Sequence, residues 1–486
     1  MAPLLRMLGS PRRCCDGITR RETLAAGALT FFGGALDLPS LLAAESAAQS
    51  AAARRAAKAK NVIVLYLLGG AATQDMYDLK PDAPVGIKSE FNPISTDVPG
   101  VQVCEHLPLT ARWMHRTALI RSLNHKAGCH NCLPSYSGFE QLMPDQNPRA
   151  SDPPSMGSVC EYLEGRTDPN EVPAYVYMPN VLGWGQNIRR AGPFGGYLGN
   201  QFDAFTTECE PKVDAGVKPL PGTPGTVRGA PMLPNSALPS ELTIDRFNHR
   251  KDLLRQIDDE HRRLERSGAV ERYSDIQKRA FGVLGASKLT DAFNLTKEPA
   301  KLVERYGNTL FGNSALVARR LIERGARFVN VTFDLYHTTP GLLDYDAWDT
   351  HTKNFQILKN NKLPGFDQTF TALLEDLDER GLLDETLIVV TSEMGRTPRI
   401  NANAGRDHWT YCYSTMFAGA GIRGGTVCGA SDAQAAFVKD RPVSPADICA
   451  TVFECLGIDP EMMLPDRSGR PSPAAQGGRA IHEILA

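Results

Sequence analysis

Three short stretches of the chain are almost continuously apolar and rich in β-branched residues: 61–68, which runs into Gly69-Gly70, then 327–333 and 386–391. Such runs predict strands buried on both faces, as in a parallel sheet. Two of them follow segments of helical period. Ser314 to Arg324 is stopped by Gly325, and Phe366 to Arg380 is stopped by Gly381, the usual helix-ending signal. Helix, glycine, short loop and buried strand in succession predict an α/β fold. From about 179 to 239 the chain is rich in Gly and Pro, and from 240 to 308 it carries long polar stretches such as Arg250 to Asp259. These predict a loop followed by exposed helices, a middle insertion of about 179–308. A turn-rich end follows Pro460.

The first 53 residues read differently. Arg20-Arg21 precede a weakly apolar run from Leu24 to Leu36, and small residues follow from Ala43 to Ala53. A basic start, a short apolar centre and an Ala-rich flank predict a twin-arginine export signal and linker over 1–53, with the folded domain over 54–486. An amphipathic or disordered N-terminus is the plainer reading. No later stretch offers about 18 continuous apolar residues. The expectation is a periplasmic or extracellular protein without a transmembrane segment in its mature form.

Across 486 residues the chain is 42% hydrophobic and 22% charged, with a formal net charge of -2. That balance gives no reason to expect nucleic acid as a partner. Of eleven cysteines, Cys14 and Cys15 fall in the signal. Export permits disulfides among the other nine, but spacing assigns no pairs. Cys129 and Cys132 lack the second pair that a structural zinc site needs.

Ligands of open parallel sheets bind at the carboxyl ends of the strands, and here those ends are followed by acids and imidazoles. Asp75 and Asp78 follow the first strand; Asp334, His337 and Trp348-Asp349-Thr350-His351 follow the second; Glu393, Gly395 and Arg396 follow the third, with Asp407-His408 further on. A mixture of imidazole and carboxylate suits a divalent metal, zinc foremost, with manganese or calcium as alternatives. Asp349 and His351, two apart, point the same way in an extended segment. His408 closes that site, and Asp75 and Glu393 join it or hold a second ion. A lone Asp-x-His is common by chance; its position after a strand, with Glu393 and His408, gives it weight.

His125 and His130 share a loop and are read as metal or substrate contacts, with incidental loop histidines as the alternative. Arg396 is read either as a fork for a substrate oxyanion or as a brace on a carboxylate. Cys132-Leu-Pro-Ser135 resembles the start of a sulfatase nucleophile motif, but Tyr136 stands where the motif has arginine.

Several segments in order resemble the DUF1501 family of exported bacterial proteins. They are the twin-arginine leader, Asp75 with Asp78-x-Lys-Pro81, Trp348-Asp-Thr-His351, Glu393-Met-Gly-Arg-Thr-Pro398, the segment Asn401 to Trp409, Asp440 to Pro445, and Asp466 to Pro471. The resemblance covers about residue 60 to the end. The family is similar in turn to the alkaline phosphatase and sulfatase superfamily, which implies a three-layer αβα sandwich with a mostly parallel central sheet. It also implies metal roles for Asp75, Asp349, His351, Glu393 and His408, and a small anionic ester or a sulfated or phosphorylated glycan as substrate. Met394 stands where the superfamily has a metal-binding histidine, and thioether is a poor ligand for a hard ion. Arg396, Ser137 and His130 complete the catalytic set, with Thr73 as a second nucleophile candidate. A catalytically inactive protein with a binding or cell-surface role is the alternative, and histidines packed in a core without an ion are the third.

Overall fold

The computed structural model describes residues 56–140, 146–164, 172–186, 188–214, 224–234, 287–333 and 347–486. The chain divides into units Met1–Arg55 and Ala56–Ala486, and every described residue belongs to the second. The export segment, the Arg250 to Asp259 helix, Asp334 and His337 lie outside the described residues.

The three apolar runs form the centre of an eight-stranded sheet. Its strands are β1 (Asn61–Leu67), β2 (Thr117–Leu123), β3 (Tyr175–Met178), β4 (Phe205–Thr206), β5 (Phe328–Phe333), β6 (Thr386–Thr391), β7 (Tyr413–Gly419) and β8 (Thr426–Cys428). Their spatial order is β8-β2-β7-β6-β1-β5-β3-β4. β1 pairs in parallel with both β5 and β6, Val64 lying opposite Asn330 on one side and Val389 on the other. β7 alone runs against the rest, antiparallel to β6 and β2.

Because β1 is central, its side chains alternate between two cores rather than between core and water. Ile63, Leu65 and Leu67 face one apolar cluster, built with α2 (Leu310–Glu323) and α3 (Leu363–Glu379). Val62, Val64 and Tyr66 face the other, built with α1 (Met156–Glu164) and α4 (Pro445–Cys455). Helices on both faces of a mostly parallel sheet make the α/β fold that the apolar runs predict, in the three-layer αβα form that the family resemblance implies.

The helix ends follow local chemistry. α4 starts at a capping box: the Ser444 hydroxyl accepts from the Asp447 N–H while the Asp447 carboxylate accepts from the Ser444 N–H, and Pro445 opens the first turn. α2 and α3 begin earlier than their periodicity suggests, at Leu310 and Leu363, but end at the glycines expected. Gly325 and Gly381 have φ of 105° and 69°, a conformation that favours glycine. Within the described part of 179–239, short two-residue strands and 3-10 turns stand where a loop is expected.

Candidate metal centre

The β1 end is crossed by the segment carrying Asp349. The Trp348 N–H donates to Leu68 O at 2.8 Å, and the buried Trp348 ring meets Phe333 and Phe366 edge-on. This crossing requires Gly69. At φ 111°, a Cβ there would lie 2.5 Å from the Asp349 nitrogen, closer than real contacts allow. On the other side, Ser392 donates to Leu67 O at 2.7 Å and accepts from the Gly70 N–H at 3.1 Å. The segment after β6 is thereby tied to the same strand end. It continues into a small ribbon in which Gly395–Arg396 pairs with His408–Trp409.

These loops bring four predicted residues together. Asp349 Oδ1 lies 3.1 Å from His351 Nε2 and 3.0 Å from His408 Nε2, and those two nitrogens are 2.8 Å apart. His130 Nε2 reaches Asp349 Oδ2 at 3.2 Å. Donor atoms of His130, Asp349 and His408 all lie within 4.8 Å of one another. Donors around a zinc ion bound at ~2.0 Å in a tetrahedral set are about 3.3 Å apart, so the Asp349, His351 and His408 atoms have the spacing that a small divalent ion requires.

The far sides of two imidazoles are held by carboxylates. His130 Nδ1 lies 3.1 Å from Glu393 Oε1, and His351 Nδ1 lies 2.9 Å from Asp407 Oδ1. A proton on each Nδ1 leaves Nε2 free to bind a cation, the carboxylate–histidine arrangement common behind metal ligands. His130 also sits at φ 54°, uncommon outside glycine and a cost that the surrounding structure must offset. The Arg190 guanidinium holds its carbonyl at 3.0 Å.

Electrostatics follow from this packing. Burial alone would push the Asp349 carboxyl up, but hydrogen bonds from His130, His351 and His408 and the nearby Arg396 charge hold it far below the usual range. Burial would likewise lower His130, yet its bonds to Asp349 and Glu393 win and raise it to about 9. His351 is raised, first by Asp349, whereas His408 is lowered, chiefly by burial. Without an ion, a proton on His130 occupies the Nε2 face that a metal would use.

The remaining expected residues lie elsewhere. Asp75 is fully buried and does not reach the cluster. Its oxygens accept from Arg406 Nε at 2.8 Å and Nη2 at 3.0 Å, and from Asn354 Nδ2 at 2.8 Å. Glu393 touches His130 rather than the central gap; it also accepts from the Gly69 N–H at 2.8 Å, and Ser392 Oγ lies 3.1 Å from its other oxygen. Arg396 is a brace: its guanidinium donates to Gly70 O, Gly69 O, Arg406 O and Asp349. Ser137 donates to Leu133 O at 2.8 Å within its own short helix, and Thr73 meets Ser414. His125 accepts from the Ala127 N–H and donates through Nε2 to Glu393 O at 2.7 Å, shaping the loop. None of the nine described cysteines is in a disulfide, and Cys129 alone among them is exposed. Sequence reasoning noted Asp407 beside His408 but gave it no role; its bond to His351 Nδ1 supplies one.

An α/β protein with one candidate metal centre among its described residues, at the strand ends, is thus the class. The chain belongs to the DUF1501 family, described as proteins of unknown function, whose model matches residues 59–485. No curated protein matches it. Among solved structures it is similar to the PsFucS1 sulfatase of Pseudoalteromonas sp., with 13% identity, 82% of this chain and 68% of that one covered, and a TM-score of 0.36. It is also similar to a Vibrio parahaemolyticus protein of the alkaline phosphatase superfamily (11%, 89% and 73%, 0.34). A third is the phosphonate monoester hydrolase of Silicibacter pomeroyi (13%, 87% and 76%, 0.35). Among the described residues no helix is long and apolar enough to cross a membrane.

Proposed function

We propose that this protein is an exported, metal-dependent hydrolase of phosphate or sulfate esters, with Asp349, His351, His408 and His130 as the residues that hold the ion. The observation that carries the proposal is the meeting of three imidazoles on one partly buried carboxylate, with Nδ1 of His130 and of His351 already anchored. Zinc suits this donor set best, and manganese is the next fit. When bound, the ion supplies Lewis acidity toward an ester oxygen and makes water a nucleophile near neutral pH.

The chain's own part is positional. Glu393 and Asp407 keep the imidazoles of His130 and His351 turned inward, and Arg396 fixes the height of Asp349 against the β1 end. Ser137 and Thr73 are committed to other partners, so water is the attacking group in this scheme. The substrate is a small anionic ester or a sulfated or phosphorylated glycan, reached outside the cell after export through the Arg20-Arg21 signal.

Those committed hydroxyls also favour one other reading, a metal-holding binding protein without turnover. The mature protein, made through its own export route, is assayed on chromogenic phosphate and sulfate monoesters and diesters with zinc, manganese or calcium. Turnover that disappears in Asp349→Ala and His351→Ala supports the hydrolase. Bound metal with no turnover on any ester selects the binding role, and unchanged metal content in both variants removes the metal centre.

A further inference from the structure

Four carboxylates and two guanidinium groups surround the candidate centre. Asp349, Glu393, Asp407 and Asp75 are the acids, and Arg396 and Arg406 the bases. With neutral imidazoles the set carries two more negative charges than positive, and Arg190, whose guanidinium sits on the His130 carbonyl, brings the excess to one, less than a single divalent ion cancels. A second such ion would add two more positive charges beside the buried Arg396 and Arg406, which is costly.

Bonding points the same way. A second ion needs acids with free oxygens, and the acids expected to provide them are already engaged. Asp75 faces the Arg406 guanidinium with both oxygens, each group fully buried. Arg406 is itself locked by the carbonyls of Thr397, Pro398 and Ile87. Glu393, fully buried, accepts on Oε1 from the Gly69 N–H and from His130 Nδ1. Asp407 accepts from His351 Nδ1 and from Asn401 Nδ2 at 3.2 Å, both through Oδ1, on an exposed side chain behind the His351 ring.

We infer that the centre takes a single divalent ion, with Glu393 and Asp407 as positioning carboxylates that set the ring tautomers of His130 and His351, and with Asp75 serving as counter-ion to Arg406 rather than as a ligand. This rests on the metal reading above and deepens it. Arg406 stands in the place of a second cation, and the chemistry available is that of one Lewis acid.

The full chain, exported and purified, is equilibrated with excess zinc, desalted and measured for zinc per chain. One zinc is expected. Two would overturn the inference and leave the metal reading intact, whereas none would overturn the metal reading itself. Zinc affinity then separates the roles. Glu393→Gln and Asp407→Asn should each keep one zinc but bind it about 10–100-fold more weakly, the usual effect of losing an outer partner. His408→Ala should lose the ion. A folded Glu393→Gln protein without zinc would make Glu393 a direct ligand, and unchanged affinity in both carboxylate variants would remove the positioning role. Should Glu393→Gln fail to fold, Asp407→Asn, on an exposed residue, carries the same test.

Discussion

His130 poses a competition between a proton and an ion. In the ion-free protein its bonds to Asp349 and Glu393 raise it from 6.5 to about 9, so that pairing stabilises the fold fully below about 6.5 and its contribution is lost as pH climbs through about 9. Metal binding needs the neutral ring. Zinc uptake at pH 7.5 should therefore release at least one proton, and apparent affinity should rise up to about tenfold per pH unit toward 9. Calorimetry in buffers of different ionisation enthalpy measures the protons; a flat affinity from pH 6.5 to 8.5 would sink the assignment of His130. Asp75 makes the opposite case. Asp75→Asn leaves a buried guanidinium half-paired and should destabilise the fold by about 3–5 kcal/mol while the protein still takes up zinc, checked by thermal melts beside metal analysis. The contrast shows what a sequence reveals at this scale. Asp349 and His351 were legible because two-residue spacing on a strand-end loop has a local geometric meaning. The partner of Asp75 lies far along the chain, so its carboxylate looked like a ligand until Arg406 was seen against it.

Among the elements, the three central strands were legible because burial on both faces leaves a continuous apolar run. β7 was not, since Tyr413–Gly419 mixes Ser, Thr and Gly with its apolar residues and has intermediate exposure at Ser414 and Gly419. Helix stops were legible from Gly325 and Gly381, while the starts of α2 and α3 were set by tertiary packing that periodicity does not report. Glycines that look alike in sequence differ in what they face. Gly69 and Gly325 have similar φ, 111° and 105°, but a Cβ at Gly69 meets the Asp349 backbone whereas one at Gly325 meets nothing within 4 Å. Each alanine replacement should cost about 1–2 kcal/mol for the left-handed backbone alone. Gly69→Ala should in addition displace Asp349 and weaken zinc binding at least tenfold, while Gly325→Ala leaves it unchanged. Isothermal titration of the two variants decides; equal affinities would mean that the Asp349 segment is not held by its crossing of β1.

For the molecule as a whole, the sheet is scaffold and the centre is a join. His130, Asp349 and the segment that carries Glu393 and His408 arrive from three distant parts of the chain. An ion bound there ties the loops together in the folded state alone, because the unfolded chain scatters its ligands. Linkage then requires stability to grow with free metal, by about 2.7 kcal/mol at one hundred times the dissociation constant. The melting temperature should rise steadily with free zinc and fall when a chelator is added, with near-native secondary structure retained below the lowered transition, since both apolar clusters are built without the ion. Differential scanning calorimetry at fixed pH across a zinc series tests this. His408→Ala should flatten the series, and Asp75→Asn, though less stable at every point, should keep the same slope because its pair lies outside the set of ligands. A zinc dependence surviving in His408→Ala would mean that the stabilising ion sits elsewhere on the molecule.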